Sequence, residues 1–103
     1  MDNQTMLVTV KKELSKEITI ERLYLFGSRA RGVFHVDSDY DFAVISSDFG
    51  KLSFMERQQL VRPLIRKVIG DEALDVACYT PEEFERGKIG FLPGIIEEEG
   101  IAV

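Results

Sequence analysis

The stretch of residues 24–45, YLFGSRARGVFHVDSDYDFAVI, constrains the fold of this chain more than any other. Apolar runs at residues 23–26 and 42–45 stand at its two ends, and each has the length of a short strand. Gly27 ends the first run, and a glycine lets the backbone turn sharply and approach a ligand closely. The pattern therefore predicts two strands joined through a tight turn that is available for binding.

A short basic segment follows this turn. Ser28 suits the N-cap of a one-turn helix whose free N–H groups would face an anion, and Gly32 suits its C-terminal stop. Arg29 and Arg31 lie within the segment. Three roles remain open for these two arginines: gripping phosphate, pairing with the acidic cluster of this stretch, or lying in solvent. The segment is thus a candidate phosphate-binding turn.

Two carboxylates precede the second strand. Asp39 and Asp41 are two residues apart, so on an extended backbone both side chains leave the same face. Carboxylate oxygens are the hard ligands that Mg²⁺ takes in proteins. The pair therefore predicts a Mg²⁺ or Mn²⁺ site beside the turn.

A third apolar run, at residues 73–79, also contains a carboxylate. In a strand, Asp75 shares its face with Ala77 and Tyr79, and apolar side chains fill the other face. A carboxylate flanked by apolar residues is costly unless it is paired or bound to a metal. Since neighbouring strands lie ~4.8 Å apart, Asp75 on an adjacent strand would reach the same metal site.

These residues together resemble a known signature. Gly27-Ser28, followed after ten residues by Asp39-x-Asp41, is similar to the pattern of the minimal nucleotidyltransferases, which belong to the polymerase-β-like superfamily. The third carboxylate of that superfamily lies on a later strand, and Asp75 in the run ALDVACY matches it. The resemblance covers most of the chain. It implies an α+β fold with a small mixed β-sheet and helices packed mainly on one face.

The resemblance also implies an activity, the transfer of AMP from ATP with Mg²⁺ or Mn²⁺ as cofactor. Asp39, Asp41 and Asp75 would be the catalytic metal ligands, with Asp75 also activating the acceptor hydroxyl as a base. The nucleotide-binding residues would be Gly27, Ser28, Arg29 and Arg31.

Relatives of this kind are often encoded beside small helical HEPN proteins, and the pair acts as antitoxin and toxin. The resemblance therefore implies that the enzyme transfers AMP to a tyrosine of a HEPN partner in a hetero-oligomer. Two alternatives remain open. The chain could be a non-catalytic nucleotide-binding module, or it could modify a small molecule as the aminoglycoside-modifying relatives do.

Two other motifs fail at required positions. The spacing GSRARG imitates a Walker A loop, but VF stands where lysine and a hydroxyl residue are required. The run DSDYDF imitates the start of an EF-hand loop, but its phenylalanine occupies the position that requires glycine. His35 is interpreted as an exposed loop histidine and Asp37 as part of the turn before the carboxylate pair.

Composition limits the remaining possibilities. A chain of 103 residues favours a single domain over residues 1–103. The absence of a long apolar run and the lone Cys78 favour a cytoplasmic protein that does not enter a membrane. The net charge of −5 argues against direct nucleic-acid binding and favours a partner of basic character.

The rest of the chain reads as alternating helices and turns. Apolar spacing predicts an amphipathic helix over residues 5–18, and a capping box at Ser53 predicts another that ends at Gly70. Pro63 lies inside that helix, so a kink or break is expected there. Thr80 begins a further helix, and residues 91–99 predict a last one before an extended end.

Overall fold

The computed structural model describes residues 2–32 and 39–103 of the chain. The predictions for His35 and Asp37 lie outside the described residues. Five helices, four strands and one 3₁₀ turn follow one another in the described ranges. In chain order they are α1 (Asn3–Leu14), β1 (Arg22–Phe26), α2 (Gly27–Arg31), β2 (Tyr40–Ile45), the 3₁₀ turn (Ser47–Lys51), α3 (Phe54–Ile69), β3 (Leu74–Tyr79), α4 (Pro81–Arg86), α5 (Leu92–Glu99) and β4 (Ile101–Ala102).

The four strands form one mixed sheet in the order β3-β2-β1-β4. β1 is antiparallel to both β2 and β4, and β2 is parallel to β3. The predicted α+β class with a small mixed sheet is confirmed. β1 and β2 occupy the centre, which agrees with their apolar sequences, and the helix α3 makes the crossover between the two parallel strands.

The two longest helices, α1 and α3, cover one face of this sheet. Their apolar stripes meet alternate side chains of the strands, and the helices also pack against each other. This is the main hydrophobic core. Its fully buried members include Leu7, Val10, Leu14, Leu23, Leu25, Phe42, Val44, Phe49, Val61 and Ile65.

The opposite face is covered only in part, by the two short helices α4 and α5. Phe84 of α4 and Ile96 of α5 pack against Tyr24, Ala43 and Ile45. The small side chain of Ala43 therefore leaves room for the short helices to pack on the sheet. The aspartates of β2 and β3 lie on this face toward the start of their strands, where the two short helices leave the sheet uncovered.

The unpaired edge of β3 is closed by polar side chains of α3. The carbonyl groups of alternate β3 residues point away from β2, and α3 donors reach each of them. The bonds run from Arg57 Nη1 to Cys78 O (3.2 Å), from Gln58 Nε2 to Val76 O (2.8 Å) and from Arg62 Nη2 to Leu74 O (3.1 Å). Gln58 and Arg62 are four helical residues apart, a rise of ~6 Å, which matches the ~6.7 Å between the two strand residues Val76 and Leu74.

The helix signals are confirmed with two corrections. The capping boxes at Ser53 and Thr80 are both formed. The predicted break at Pro63 is wrong, because α3 runs as one helix through it. The first helix ends at Leu14 rather than at residue 18, and Asp2 caps its start. No helix within the described ranges is both long and apolar enough to span a membrane.

Candidate active site

The strand register brings two of the predicted carboxylates together. Asp41 of β2 lies directly opposite Asp75 of the parallel strand β3, so both side chains leave the same face of neighbouring strands. Asp39 precedes β2 by one residue and is exposed. Asp41 is half-buried and Asp75 is exposed, so the group opens toward solvent on one side.

The closeness of the three carboxyl groups affects the pKa of Asp41. Burial raises the pKa of its carboxyl group, and the negative charges of Asp75 and Asp39 raise it further. Carboxylates that disfavour each other's charge favour binding a cation, since a divalent ion offsets the repulsion.

The turn after β1 lies directly against this group. Phe26 pairs with Asp41 in the antiparallel register, so Gly27 follows at the level of the carboxylate. Gly27 has φ +75°, and a Cβ built on it would overlap Asp41 Oδ2. Glycine is therefore required here both by the backbone conformation and by the close approach of the carboxylate.

The helix α2 begins two residues earlier than the sequence suggests. Phe26 is its N-cap, and no side-chain hydrogen bond caps this end. The prediction that Ser28 is the N-cap is therefore wrong, because the helix starts at Gly27 and Ser28 is its second residue. Gly32 ends the helix in the left-handed conformation, as predicted. The first N–H groups of α2 remain without a side-chain cap beside the carboxylates.

The two arginines of α2 have different surroundings. Arg29 is buried, with its guanidinium group 3.9 Å from the centre of the Tyr40 ring and 3.7 Å from Glu72 Oε2. Glu72 lies outside the aspartate group, so this ion pair is a contact that none of the three roles describes. Arg31 is exposed. Sequence patterns do not single out Tyr40 or Glu72, although Tyr40 stands between the two aspartates.

The donor chemistry fits Mg²⁺. Within residues 2–32 and 39–103, no three His, Cys, Asp or Glu side chains form a closed metal-binding group. Mg²⁺ does not require one, since it is usually held by one or two carboxylates together with waters and substrate phosphates. Asp41 with Asp75 or Asp39 would supply those carboxylates.

One sequence argument for Asp75 does not hold. The cost of a carboxylate in an apolar run is absent, because Asp75 is exposed while its neighbours Leu74 and Val76 point into the core. Cys78 also points to the core side, where burial raises the pKa of its thiol to about 12. The thiol therefore takes no part in the site.

Comparisons with known proteins agree with this geometry. A provisionally assigned nucleotidyltransferase from Sulfolobus solfataricus is 22% identical, with a TM-score of 0.59 over 96% of this chain and 80% of that one. A toxin–antitoxin structure with AMP-PNP is 30% identical, with a TM-score of 0.55 over 74% of this chain and 56% of that one. A mutant of the toxin–antitoxin MntA–HpeT is 23% identical, with a TM-score of 0.62 over 98% of this chain and 71% of that one.

Among curated proteins, none matches the sequence significantly. The sequence profile of the nucleotidyltransferase domain, in contrast, matches residues 7–103. This match includes the turn at Gly27, both aspartates before and in β2, and Asp75. The chain therefore belongs to the nucleotidyltransferase domain family.

Proposed function

We propose that this nucleotidyltransferase transfers AMP from ATP to a hydroxyl group of a partner protein and requires Mg²⁺ or Mn²⁺. The observation that carries the proposal is the register that sets Asp41 opposite Asp75 and beside the Gly27 turn. In this arrangement the carboxylates that we propose as metal ligands lie beside a helix start without a side-chain cap, and a metal–triphosphate complex needs both kinds of group.

Each residue then has a defined part. Asp39 and Asp41 would hold the metal, which when bound would neutralise charge on the phosphates and on the leaving group. The N–H groups at Gly27 and Ser28 receive the outer phosphates, and exposed Arg31 adds positive charge there. The acceptor oxygen attacks the α-phosphorus, the bond to the β-phosphate oxygen breaks and pyrophosphate leaves. Asp75 takes the proton of the acceptor hydroxyl.

Arg29 contributes indirectly in this scheme. Its guanidinium group is stacked on Tyr40, the residue between the two metal-binding aspartates. The stacking fixes the start of β2 against α2, so the nucleotide-binding role of Arg29 consists of positioning the turn and the carboxylates relative to each other.

The acceptor is proposed to be a tyrosine of a HEPN-type toxin, with this chain as the antitoxin. Support comes from the two toxin–antitoxin structures that share the fold, one of which holds an ATP analogue. The helices α4 and α5 pack on Tyr24, Ala43 and Ile45 and leave Asp39 and Asp75 exposed, so they do not enclose a second substrate at the carboxylates. A partner chain would supply that surface.

Calorimetric titration tests the nucleotide site. ATP with Mg²⁺ is expected to bind, and a chelator is expected to weaken the binding strongly. Binding should also raise the melting temperature as ligand concentration increases. Tight ATP binding whose affinity a chelator does not change would contradict the metal site.

Substitution tests the chemistry. Asp39→Asn, Asp41→Asn and Asp75→Asn are each expected to abolish AMP transfer while the fold survives. Asp71→Asn is the matched control, because Asp71 is exposed in the turn before β3. An active Asp41→Asn variant would overturn the mechanism. If the wild-type protein binds nucleotide but transfers no AMP, the chain is instead a non-catalytic nucleotide-binding module.

The acceptor is tested with the protein encoded beside this one. Incubation of both proteins with ATP and Mg²⁺ should add whole AMP units to the partner, measured as intact mass. If the neighbour is unmodified and a small molecule is adenylylated by this chain alone, the small-molecule alternative replaces the partner.

A further inference from the structure

A cluster of exposed apolar side chains lies between α4 and α5, away from the carboxylate group. Ile89 is 89% exposed, Phe91 68%, Ile95 52% and Leu92 42%. Four large apolar side chains within seven residues form a contiguous stretch, whereas isolated exposed apolar residues are ordinary. We call these four residues the α4–α5 surface.

This surface borders a groove of about 600 Å³. Phe91, Leu92 and Pro93 form one wall, and Tyr79, Arg86 and Gly87 lie on the other side. The volume falls within the range of a ligand pocket, and it also fits one or two large side chains of a protein partner. The groove reaches the C-terminal end of β3, so it adjoins the same strand that carries Asp75.

The connection that presents the surface is firmly packed. A Cβ on Gly87 would lie 2.5 Å from Pro93 Cγ, and a Cβ on Gly94 would overlap the carbonyl oxygen of Lys88. Lys88 Nζ also bonds to Glu85 Oε2 at 2.8 Å and Glu97 Oε2 at 2.6 Å, which ties α4 to α5. The backbone that carries the apolar side chains is therefore held in place before any partner binds, which lowers the entropic cost of association.

The charge of residues 81–100 is strongly negative, although the charged residues that line the groove itself are Arg57, Arg86 and Glu83. Residues 81–100 contain six glutamates and two basic residues, so this fifth of the chain carries −4 of the net charge of −5. The run Glu97, Glu98 and Glu99 ends α5, with no basic residue in the last turn. Negative charge is unfavourable at a helix C-terminus, and only Glu97 has an ion pair among the described residues. A basic partner would offset this local cost.

We infer that the α4–α5 surface with its groove docks a helix of a partner protein, apolar on one face and flanked by lysine or arginine. The apolar face would cover Phe91 and Ile95, and the flanking charges would meet the glutamates that end α5. A second copy of this chain is disfavoured as the occupant, since the glutamates that end α5 would then lie on both sides of a two-fold axis with no basic residue in that last turn to offset them.

The position of the surface suits the proposed function. Tyr79 at the groove is four residues from Asp75 along β3, a distance of about 13 Å. A partner held at the groove would therefore reach over the uncovered half of the sheet face to the carboxylates. The reason for docking a partner rests on the proposed function, but binding at the surface itself requires neither nucleotide nor metal.

The test uses a synthetic amphipathic helix with leucines on one face and lysines on its flanks, titrated into the full chain by fluorescence anisotropy. The matched peptide has glutamates in place of the lysines. The lysine peptide should bind, its affinity should fall with added salt, and the glutamate peptide should not bind. Phe91→Ser combined with Ile95→Ser should weaken binding by about tenfold or more.

Matched controls exclude general effects of polarity and charge. Val8 on α1 is exposed to the same degree as Ile95, so Val8→Ser should leave the affinity within about twofold. The double variant Glu98→Gln, Glu99→Gln should bind the lysine peptide more weakly. The double variant Glu17→Gln, Asp71→Asn has the same change in net charge elsewhere and should keep the wild-type affinity.

Three results would overturn the inference: absence of lysine-peptide binding, equal binding of both peptides, or equal effects of surface and control variants. A dimer of the free protein that Phe91→Ser dissociates would also overturn it, because a second copy would then be the occupant. If the peptide binds as expected and the neighbouring gene product is not adenylylated, the proposed function fails while the docking surface stands.

Discussion

Asp41 Oδ2 occupies the space above Gly27 where the β-carbon of any other residue would lie. The contact joins the end of β1 to the first half of β2, and it forms because Phe26 pairs with Asp41 in the antiparallel register. One residue thus fixes both the direction of the turn and the position of a carboxylate. The backbone that would receive phosphate and the side chain that would hold the metal are set by the same contact.

Gly27→Ala is expected to damage the site more than the fold. The left-handed conformation costs a non-glycine residue roughly 1–2 kcal/mol, and the new methyl group also displaces Asp41. Gly90→Ala is the matched control, since Gly90 has φ +76° and no described atom lies within 4 Å of the position of its Cβ. Denaturant unfolding should show similar losses for both variants, while transfer activity should fall about 100-fold only in Gly27→Ala. Equal activities would show that the contact is dispensable.

Asp41→Asn is expected to raise the melting temperature of the metal-free protein at pH 7. Burial and the charges of Asp75 and Asp39 raise the pKa of Asp41 above its ordinary value of 3.8, so ionising the group costs free energy only in the folded state. The metal-free fold therefore loses stability as the pH rises from 3.8 through the raised pKa, and asparagine removes that cost.

Thermal melting in chelator, with Asp71→Asn as reference, measures this effect. The gain should vanish near pH 3, where Asp41 is protonated in wild type. Added Mg²⁺ should stabilise the wild type and have little effect on Asp41→Asn. A lower melting temperature for Asp41→Asn in chelator would show that Asp41 supports the fold instead.

Local signals in the sequence were enough for most of the fold. Periodicity and the caps at Ser53 and Thr80 predict α3 and α4, because capping bonds depend only on residues three positions apart. The same holds for the faces of β2 and β3, which follow from alternation alone. The sheet order is different, since it depends on contacts between distant residues, and it follows from the family resemblance rather than from the periodicity.

The candidate site was likewise predictable only where the signal is local in the sequence. The spacing of Asp39 and Asp41 predicts a shared face, but whether Asp75 lies opposite Asp41 depends on the β2–β3 register. The burial of Arg29 could not be read from its sequence, because Tyr40 and Glu72 approach it only in the folded chain. The break expected at Pro63 does not occur for a related reason: the packing of α3 on the core outweighs one lost backbone hydrogen bond.

Gln58→Ala is expected to destabilise the protein by about 1 kcal/mol and to promote self-association. Gln58 Nε2 donates to Val76 O on the outer edge of β3, and its loss exposes a strand edge that can pair with another chain. Gln59→Ala is the matched control, because Gln59 is the exposed neighbour on the same helix. Denaturant unfolding and light scattering measure the two effects. Equal behaviour of the two variants would show that the α3 donors do not protect the edge.

Glu83→Gln is expected to weaken the fold at neutral pH and to leave it unchanged in acid. Arg57 Nη1 and Nη2 bond to the two carboxylate oxygens of Glu83 at 2.7 and 3.2 Å, and these bonds are the main reason that the pKa of Glu83 is lowered. A lowered folded-state pKa contributes stability that is present above the ordinary value of 4.5 and lost as the pH falls through the folded value. Glutamine keeps the capping hydrogen bond to Thr80 but removes the charge.

Unfolding free energies measured between pH 3 and pH 7 test this expectation. The Glu83 side chain is about one third exposed, so solvent screening should limit the loss in Glu83→Gln to under about 1 kcal/mol at pH 7. The difference from wild type should shrink as the pH falls through the lowered folded-state pKa of Glu83. Glu82→Gln, one residue earlier and exposed, should give a pH profile parallel to wild type. A difference between Glu83→Gln and wild type that does not shrink as the pH falls would show that packing, and not the ion pair with Arg57, joins α4 to α3.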